Sequence, residues 1–522
     1  MGSPTTSARL PWPVAALIGV LSVAAALGVG HLVAGLVSPT ASPFLAVGNS
    51  AIDLTPAPLK DFAVSTFGTY DKLVLLLGMA IVIAIVAVVA GLLSRRSAAP
   101  GLTLIVVLGA VGAIAVVARP TFTAADLVAP VVALLAGVGA FLLLHRLGSR
   151  SPAGDTDATL PASPVSRRGL LVGSAAVAAG AGLAGLGGQL LTGRGDIEAA
   201  RRALGPLRPD VPAPPIPPGA DFAQAGTPTF ITPNRDFYRV DINLTLPQLT
   251  PQDWRLRVHG MVDRELTLDW DDLVSRRSVE RTVTMTCVSN EVGGPYVSTS
   301  NFTGVMLRDI LAEAGVRDGA DQVFTTSVDG WTCGTPTATV MQPDREAMLV
   351  YAMNREPLPI EHGFPVRMLV PGLYGFVMGT KWITDIELTT FAEDVAYWRQ
   401  PGRDWATRAP IKTMSRIDSP GPFGRVPADR VTIAGIAWAQ TVGIDRVEVR
   451  VDGGEWMPAE LSTEVNIDTW RMWRLPLPGI RPGLHSAEVR ATDRSGYTQP
   501  PERVMPIPDG ATGWHAVRFT VQ

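Results

Sequence analysis

The chain has 522 residues, a formal net charge of -3 and only 17% charged residues, with a mean hydropathy of +0.24. That length is too great for one domain and that composition too apolar for an ordinary soluble protein, so membrane segments are expected. No basic run exceeds a pair of arginines, which argues against nucleic acid as a partner. Two cysteines, Cys287 and Cys333, with no CxxC pair exclude a disulfide-rich scaffold and a zinc finger.

Five apolar runs open the chain, at 12–37, 73–93, 102–117, 127–144 and 169–191. A spanning helix needs about 20 apolar residues. The runs follow one another and carry no internal charge, so an all-α transmembrane bundle of about five helices is predicted over 1–192. Arg9 precedes the first run, Arg95 and Arg96 follow the second, and Arg146, Arg150, Arg167 and Arg168 lie between the fourth and fifth. The remaining short loops hold Lys60, Lys72 and Arg119. The positive-inside rule then puts the N-terminus in the cytoplasm and everything after the fifth run outside, as in a multi-pass protein of the bacterial cytoplasmic membrane.

The segment 166–171 (SRRGLL) resembles an internal twin-arginine export signal, a route that carries folded, cofactor-loaded proteins. Gly173, Gly180, Gly185 and Gly188 suit close helix packing. His31 lies toward the outer end of the first run and His145 at the inner end of the fourth, near opposite membrane faces, so they cannot share an iron; no CxxCH occurs, so no haem is expected. The bundle reads as an anchor or docking module, with His31 structural.

Residues 206–218 (PLRPDVPAPPIPP) read as a stiff spacer within a linker at 193–226. From 227 to 410, strand-like runs (254–259, 366–370) mix with an amphipathic helix (307–314), an α+β pattern. From 411 to 522 the pattern is all-β, with strands at 431–439, 447–451, 472–477 and 485–491 and turns at Asp452-Gly453-Gly454 and Pro482-Gly483. Trp456, Trp470 and Trp473 are expected in its core.

The chemistry gathers in three blocks: TPNRDFYR (232–239), TMTCVSNEVGG (284–294), and a stretch from Tyr351 through EHGFPVR (361–367) to YGFVMGTKW (374–382). Cys287 ends a β-rich run and begins a turn, and a soft thiolate there suits a metal or a nucleophile. His362 and Arg367, five apart around a Gly-Phe-Pro turn, with Lys381 beyond, suit a bound phosphate. These residues alone allow a thiolate beside a phosphate-bearing ligand, or a Cys/His hydrolase. Cys287 and Cys333 could also pair as a disulfide; Cys333 is otherwise a small residue of the cleft or core.

The three blocks, EHGFPVRMLVPG and GTKW above all, resemble the sulfite oxidase family of molybdopterin-dependent oxidoreductases, over about 230–522. The resemblance implies a molybdenum–molybdopterin cofactor with Cys287 as the metal's protein ligand. It implies cofactor contacts from Asn234, Tyr238, Arg239, Asn290, His362, Arg367, Gly379, Thr380 and Lys381, and an active-site role for Tyr351 and Arg239. It also implies an immunoglobulin-like dimerisation sandwich at the C-terminus and hence a homodimer. Where sulfite oxidases place an arginine after the CxxN asparagine, this chain has Glu291. Exchanging a cation for a carboxylate in an anion pocket is unfavourable by on the order of several kcal/mol. The expected function is oxygen-atom transfer on a small sulfur compound, with electrons exchanged with a separate carrier, a soluble cytochrome or a membrane redox protein. A sulfoxide reductase and a non-catalytic docking protein are the alternatives.

Overall fold

The computed structural model describes residues 9–522 apart from 57–58, 60–61, 64–65, 68–69, 120, 150–164, 192–194, 243, 401–402 and 404. Lys60 and Arg150 of the charge pattern lie outside these residues, as do the side chains of Ser166 and Arg167. The chain forms two compact units, Met1–Arg194 with Ile242–Thr245, and Gly195–Asp241 with Leu246–Gln522.

The first unit is helical. Its long helices are α1 (Trp12–Val37), α3 (Asp71–Leu93), α4 (Ala99–Val117), α5 (Val128–Ser149) and α6 (Val165–Leu191), with a shorter α2 (Pro43–Leu54) that the apolar runs did not reveal. All five long helices are apolar enough to cross a membrane. α1 is the hub, packing on α3, α5 and α6. Small residues let the backbones touch: a Cβ on Gly19 would lie 2.0 Å from the Ala87 carbonyl oxygen, and one on Gly91 2.0 Å from that of Ala15. In α6, Gly173 and Gly188 pack as expected, on Leu147 and His31, whereas Gly180 and Gly185 meet nothing within 4 Å. His145 Nε2 donates to the Ser94 carbonyl at 2.9 Å, and its ring stacks on Phe141.

The second unit opens with a helix, α7 (Gly195–Ala203), inside the stretch expected to be linker. The proline-rich segment after it is extended, but it is no free spacer. Val211 bridges in parallel to Val279, Leu207 N–H donates to the Arg355 carbonyl, and the Asp210 carboxylate takes the backbone N–H and hydroxyl of Ser278. Its unused backbone donors found a sheet edge, which composition alone cannot show.

Two sheets follow. The first runs β2–β1–β10–β5–β6, from β1 (Arg255–Gly260), β2 (Leu266–Asp269), β5 (Gln322–Ser327), β6 (Thr332–Pro336) and β10 (Ile383–Thr389). Its β1/β10 pair is parallel. The second runs β3–β4–β7–β8, from β3 (Ser278–Thr286), β4 (Val297–Met306), β7 (Met348–Met353) and β8 (Glu356–Pro357), with β9 (Arg367–Leu369) on β7. Helix α8 (Leu307–Ala314) buries Leu307, Ile310, Leu311 and Ala314, one face at helical spacing, and ends at Gly315 in the left-handed region.

Two further sheets form the C-terminal part. One is β11–β13–β17–β16, from β11 (Met414–Ser419), β13 (Thr432–Trp438), β16 (Glu460–Leu461) and β17 (Arg471–Pro476). The other is β12–β19–β18–β14–β15, from β12 (Arg425–Val426), β14 (Ile444–Val451), β15 (Met457–Pro458), β18 (Gly483–Asp493) and β19 (His515–Val521). Trp470 and Trp473 are buried. Trp456 is not: it sits half-exposed between the guanidinium groups of Arg450 and Arg490 and against Trp514. An amphipathic ring needs only cations and one edge to be satisfied at a surface.

Strand β3 joins these parts. Val283 and Met285 enter the core, while Thr282, Thr284 and Thr286 are buried the other way. Thr284 Oγ1 accepts from Trp470 N–H at 2.6 Å, and the Gln440 amide donates to the Thr284 carbonyl and to Thr286 Oγ1. The C-terminal part of the unit therefore supplies partners for the polar face of the strand that leads to Cys287. Phe302, fully buried on β4, meets Phe237 edge-on. Phe302→Ala should cost about 3–5 kcal/mol, read as a drop in denaturation midpoint; an unchanged midpoint would contradict this packing.

Candidate active site

Cys287 stands one residue beyond β3, where the ladder ends and backbone groups turn inward. Its N–H donates to the Tyr296 carbonyl, and its Sγ shares a 2.9 Å hydrogen bond with Ser289 Oγ. Asn290 Oδ1 accepts from Tyr296 N–H at 2.8 Å, closing the loop. Burial pushes the thiol up, while Ser289 and the charge of Lys381 pull it the other way. Both cysteines are free, so the disulfide alternative is not realised, and Cys333 is fully buried.

The HGFPVR segment folds back on the GTKW segment. Gly363, in the left-handed region (φ 109°), lets this turn reach Lys381, where a Cβ would stand 3.1 Å from Lys381 Cα. His362 is buried and meets Phe237 edge-on. Desolvation, then the charges of Lys381, Arg367 and Arg239, lower it to about 3. The Cys287 thiol bonds Ser289, and among the described residues no hydrogen bond joins it to His362, the contact that a Cys/His hydrolase requires. The unfolded value of 6.5 exceeds the folded one. The stability owed to the neutral ring is therefore complete above pH 6.5 and is lost as pH falls from there through about 3. In cofactor-free protein, H362Q should flatten that stretch of the stability–pH curve; superimposable curves would contradict it.

Arg367 is 3% exposed. Its guanidinium reaches only carbonyl oxygens, those of His362 at 3.3 Å and Met368 at 3.5 Å, and among the described residues no carboxylate pairs with it. Burial lowers it to about 10. A buried cation without a counter-ion is costly and marks a place for an anion. Lys381 Nζ donates to the carbonyls of Val240 and Glu361.

Tyr238 stacks on Phe237 and lies in the fields of both Cys287 and Arg367. Tyr374, which the sequence reading left without a role, also feels Cys287. Its phenol oxygen accepts from Lys412 N–H and lies against Gly510, so the C-terminal part of the unit walls this side. Burial raises both phenols.

Several expected site residues are employed otherwise. Tyr351 is not beside the thiol: its ring meets Trp270 edge-on, and its phenol faces Ser278 and Asp210. The all-buried β7 gives no alternation from which its direction could be read. Asn234 is tied through its side chain to Met353, Glu356 and Asn354, while its backbone meets His362. Thr380 is buried with its hydroxyl on Thr325, and Gly379 N–H donates to Gly375. Arg239 is paired with Asp241 at 2.7 Å. Glu291 is exposed.

The donor set fits a cofactor that brings most of its own ligands. Among the described residues no three of His, Cys, Asp or Glu gather as a metal cage, so a metal at Cys287 needs ligands from a bound group. The unpaired Arg367, flanked by His362 and Lys381, suits that group's phosphate.

Comparison with known proteins gives the class first: residues 243–398 match the oxidoreductase molybdopterin binding domain. The Gallus gallus sulfite oxidase is 30% identical over 335 residues, covering 55% of this chain and 72% of that protein. The mitochondrial sulfite oxidase of Mus musculus is 33% identical over 345 residues, 56% of this chain and 62% of its own length. The NADH nitrate reductase of Hordeum vulgare is 29% identical over 331 residues, 52% of this chain and 36% of its own. A solved structure, the sulfane dehydrogenase SoxCD from Paracoccus pantotrophus, overlaps with a TM-score of 0.46 at 23% identity, over 55% of this chain and 79% of that one. The chain belongs to the sulfite oxidase family of molybdopterin-binding oxidoreductases. It spans 62% of the length of the mammalian relatives.

Proposed function

We propose that this chain is a membrane-anchored molybdenum oxidoreductase carrying out oxygen-atom transfer on a small sulfur compound at the outer face of the bacterial cytoplasmic membrane. The observation that carries the proposal is the buried, anion-seeking Arg367 sharing one site with a thiol at a strand's end. The molybdenum–pterin group, when bound, supplies the redox couple and the exchangeable oxygen. Cys287 holds the metal as thiolate. Arg367, His362 and Lys381 hold the phosphate end. Tyr238 and Tyr374, kept as neutral phenols by burial, are hydrogen-bond donors beside the sulfur and exclude water from it. In the oxidative direction the substrate takes one oxygen from water and releases two protons and two electrons, which leave to a separate carrier.

Two observations favour a neutral sulfoxide, reduced in the opposite sense, over an anionic substrate. Glu291 stands where the family resemblance calls for an arginine, and Arg239 is paired with Asp241 at 2.7 Å. Either direction is compatible with the twin-arginine route, an immunoglobulin-like C-terminal domain and a homodimer, which belong to the same proposal. Purified protein should contain about one molybdenum per chain and turn over sulfite with an artificial acceptor, or a sulfoxide with an artificial donor. Metal-free protein from molybdenum-replete cells would refute the enzyme and leave a docking protein.

A further inference from the structure

We propose that Arg416 of the C-terminal domain is a positioning residue for the Cys287 loop, so that this domain sets the direction of the thiol as well as packing behind it. The loop's own hydrogen bonds join its two ends, Cys287 and Tyr296, and close one turn inside it, from Gly294 N–H to the Glu291 carbonyl, while the Gly294 carbonyl is left to a partner from outside the loop. Its middle is Gly293-Gly294, the pair of residues least able to hold a shape by themselves. Strands β11 and β19 of the C-terminal domain hold both glycines. Arg416 Nη1 donates to the Gly294 carbonyl at 2.8 Å. The His515 ring lies so close to Gly293 (φ 82°) that a Cβ there would stand 2.3 Å from Nε2. His515 is itself fixed, because Ile417 N–H donates to its Nδ1 at 2.9 Å, which leaves the ring proton on Nε2 facing the loop.

The Arg416 side chain is clamped in turn. Asp418 Oδ1 accepts from Arg416 Nε at 2.7 Å, with the two side chains only 12% and 14% exposed. The other carboxylate oxygen, Oδ2, is buried without a partner. A nearly buried ion pair with an unsatisfied oxygen is a poor way to stabilise a β-sheet and a good way to fix one orientation. Here that orientation points at the loop that carries the metal's proposed ligand.

The proposal rests on the reading of Cys287 as that ligand, and the test separates the two. In cofactor-free full-length protein, R416Q should speed alkylation of Cys287 about tenfold, the effect of losing one charge-assisted hydrogen bond that opposes local opening. Cys333, buried elsewhere, should stay as slow as before, and R416K should restore most of the protection. D418N, which keeps Arg416 but frees it to turn, should give an intermediate rate. In loaded protein, R416Q should shift the thiolate-to-metal absorption band. Unchanged Cys287 alkylation in both R416Q and D418N, or equal acceleration at Cys333, would overturn the positioning role. Faster Cys287 alkylation in R416Q, with no thiolate-to-metal band in the unsubstituted loaded protein, would uphold the positioning and refute the ligand.

Discussion

Replacing Arg367 by methionine is expected to change stability and cofactor retention in opposite directions. Among the described residues the buried guanidinium makes two long hydrogen bonds, both to carbonyls. Leaving a charge in that state costs several kcal/mol, on the order of what is lost when one partner of a buried pair is removed. Methionine has a similar length, no charge and a flexible shape that fills the space. Cofactor-free R367M should therefore unfold a few degrees higher than the parent, at about 2–4 °C per kcal/mol for a domain of this size. The same variant should retain molybdenum about 10–100-fold less well, as when a group supporting a metal site is removed. A lower unfolding temperature together with full molybdenum content would show that Arg367 is a structural arginine and that the anion site lies elsewhere.

Cys287→Ser is expected to remove turnover almost entirely while leaving the fold intact. The hydroxyl stays protonated and is a hard, weak ligand where a soft thiolate is needed. A loss of about 10³-fold or more, equivalent to about 4 kcal/mol of barrier, is the size this exchange should produce. The fold should survive because the residue lies beyond the end of β3, whose nine-residue ladder to β4 runs from Ser278 to Thr286. Circular dichroism and unfolding temperature should match the parent. Turnover within tenfold of the parent would remove Cys287 from the chemistry.

The sequence carried the outline of this molecule because its strongest signals are local. Long uncharged runs can only be helices if they enter a membrane, and all five are helices here. The face repeat of 307–314 placed α8 to the residue, and four of the nine C-terminal strands were found to within about three residues at each end. What escaped depends on the partner across space. The proline-rich stretch looked free because composition does not show that Ser278 and Val279 offer it a sheet edge. Trp456 looked like core because its cationic neighbours, Arg450 and Arg490, are on other strands.

Within the site, Cys287, His362, Arg367 and Lys381 were legible from their spacing around turns. Tyr351 was expected at the active site, and the all-buried β7 gives no alternation from which its direction could be read; Tyr374 was given no role. The signal for Tyr374 was its place just before the Gly-Phe-Val-Met turn that leads into GTKW. Arg416 and His515 had no local signal at all: they serve a loop more than a hundred residues away in sequence.

In the proposed enzyme the Cys287 sulfur is bonded to a pterin-held molybdenum. X-ray absorption at the molybdenum edge, recorded on purified loaded protein and on Cys287→Ser loaded in the same way, tests it most directly. The expected result is one sulfur neighbour fewer around the metal in the variant, with the remaining sulfur shell unchanged. An identical sulfur shell in both proteins would contradict it.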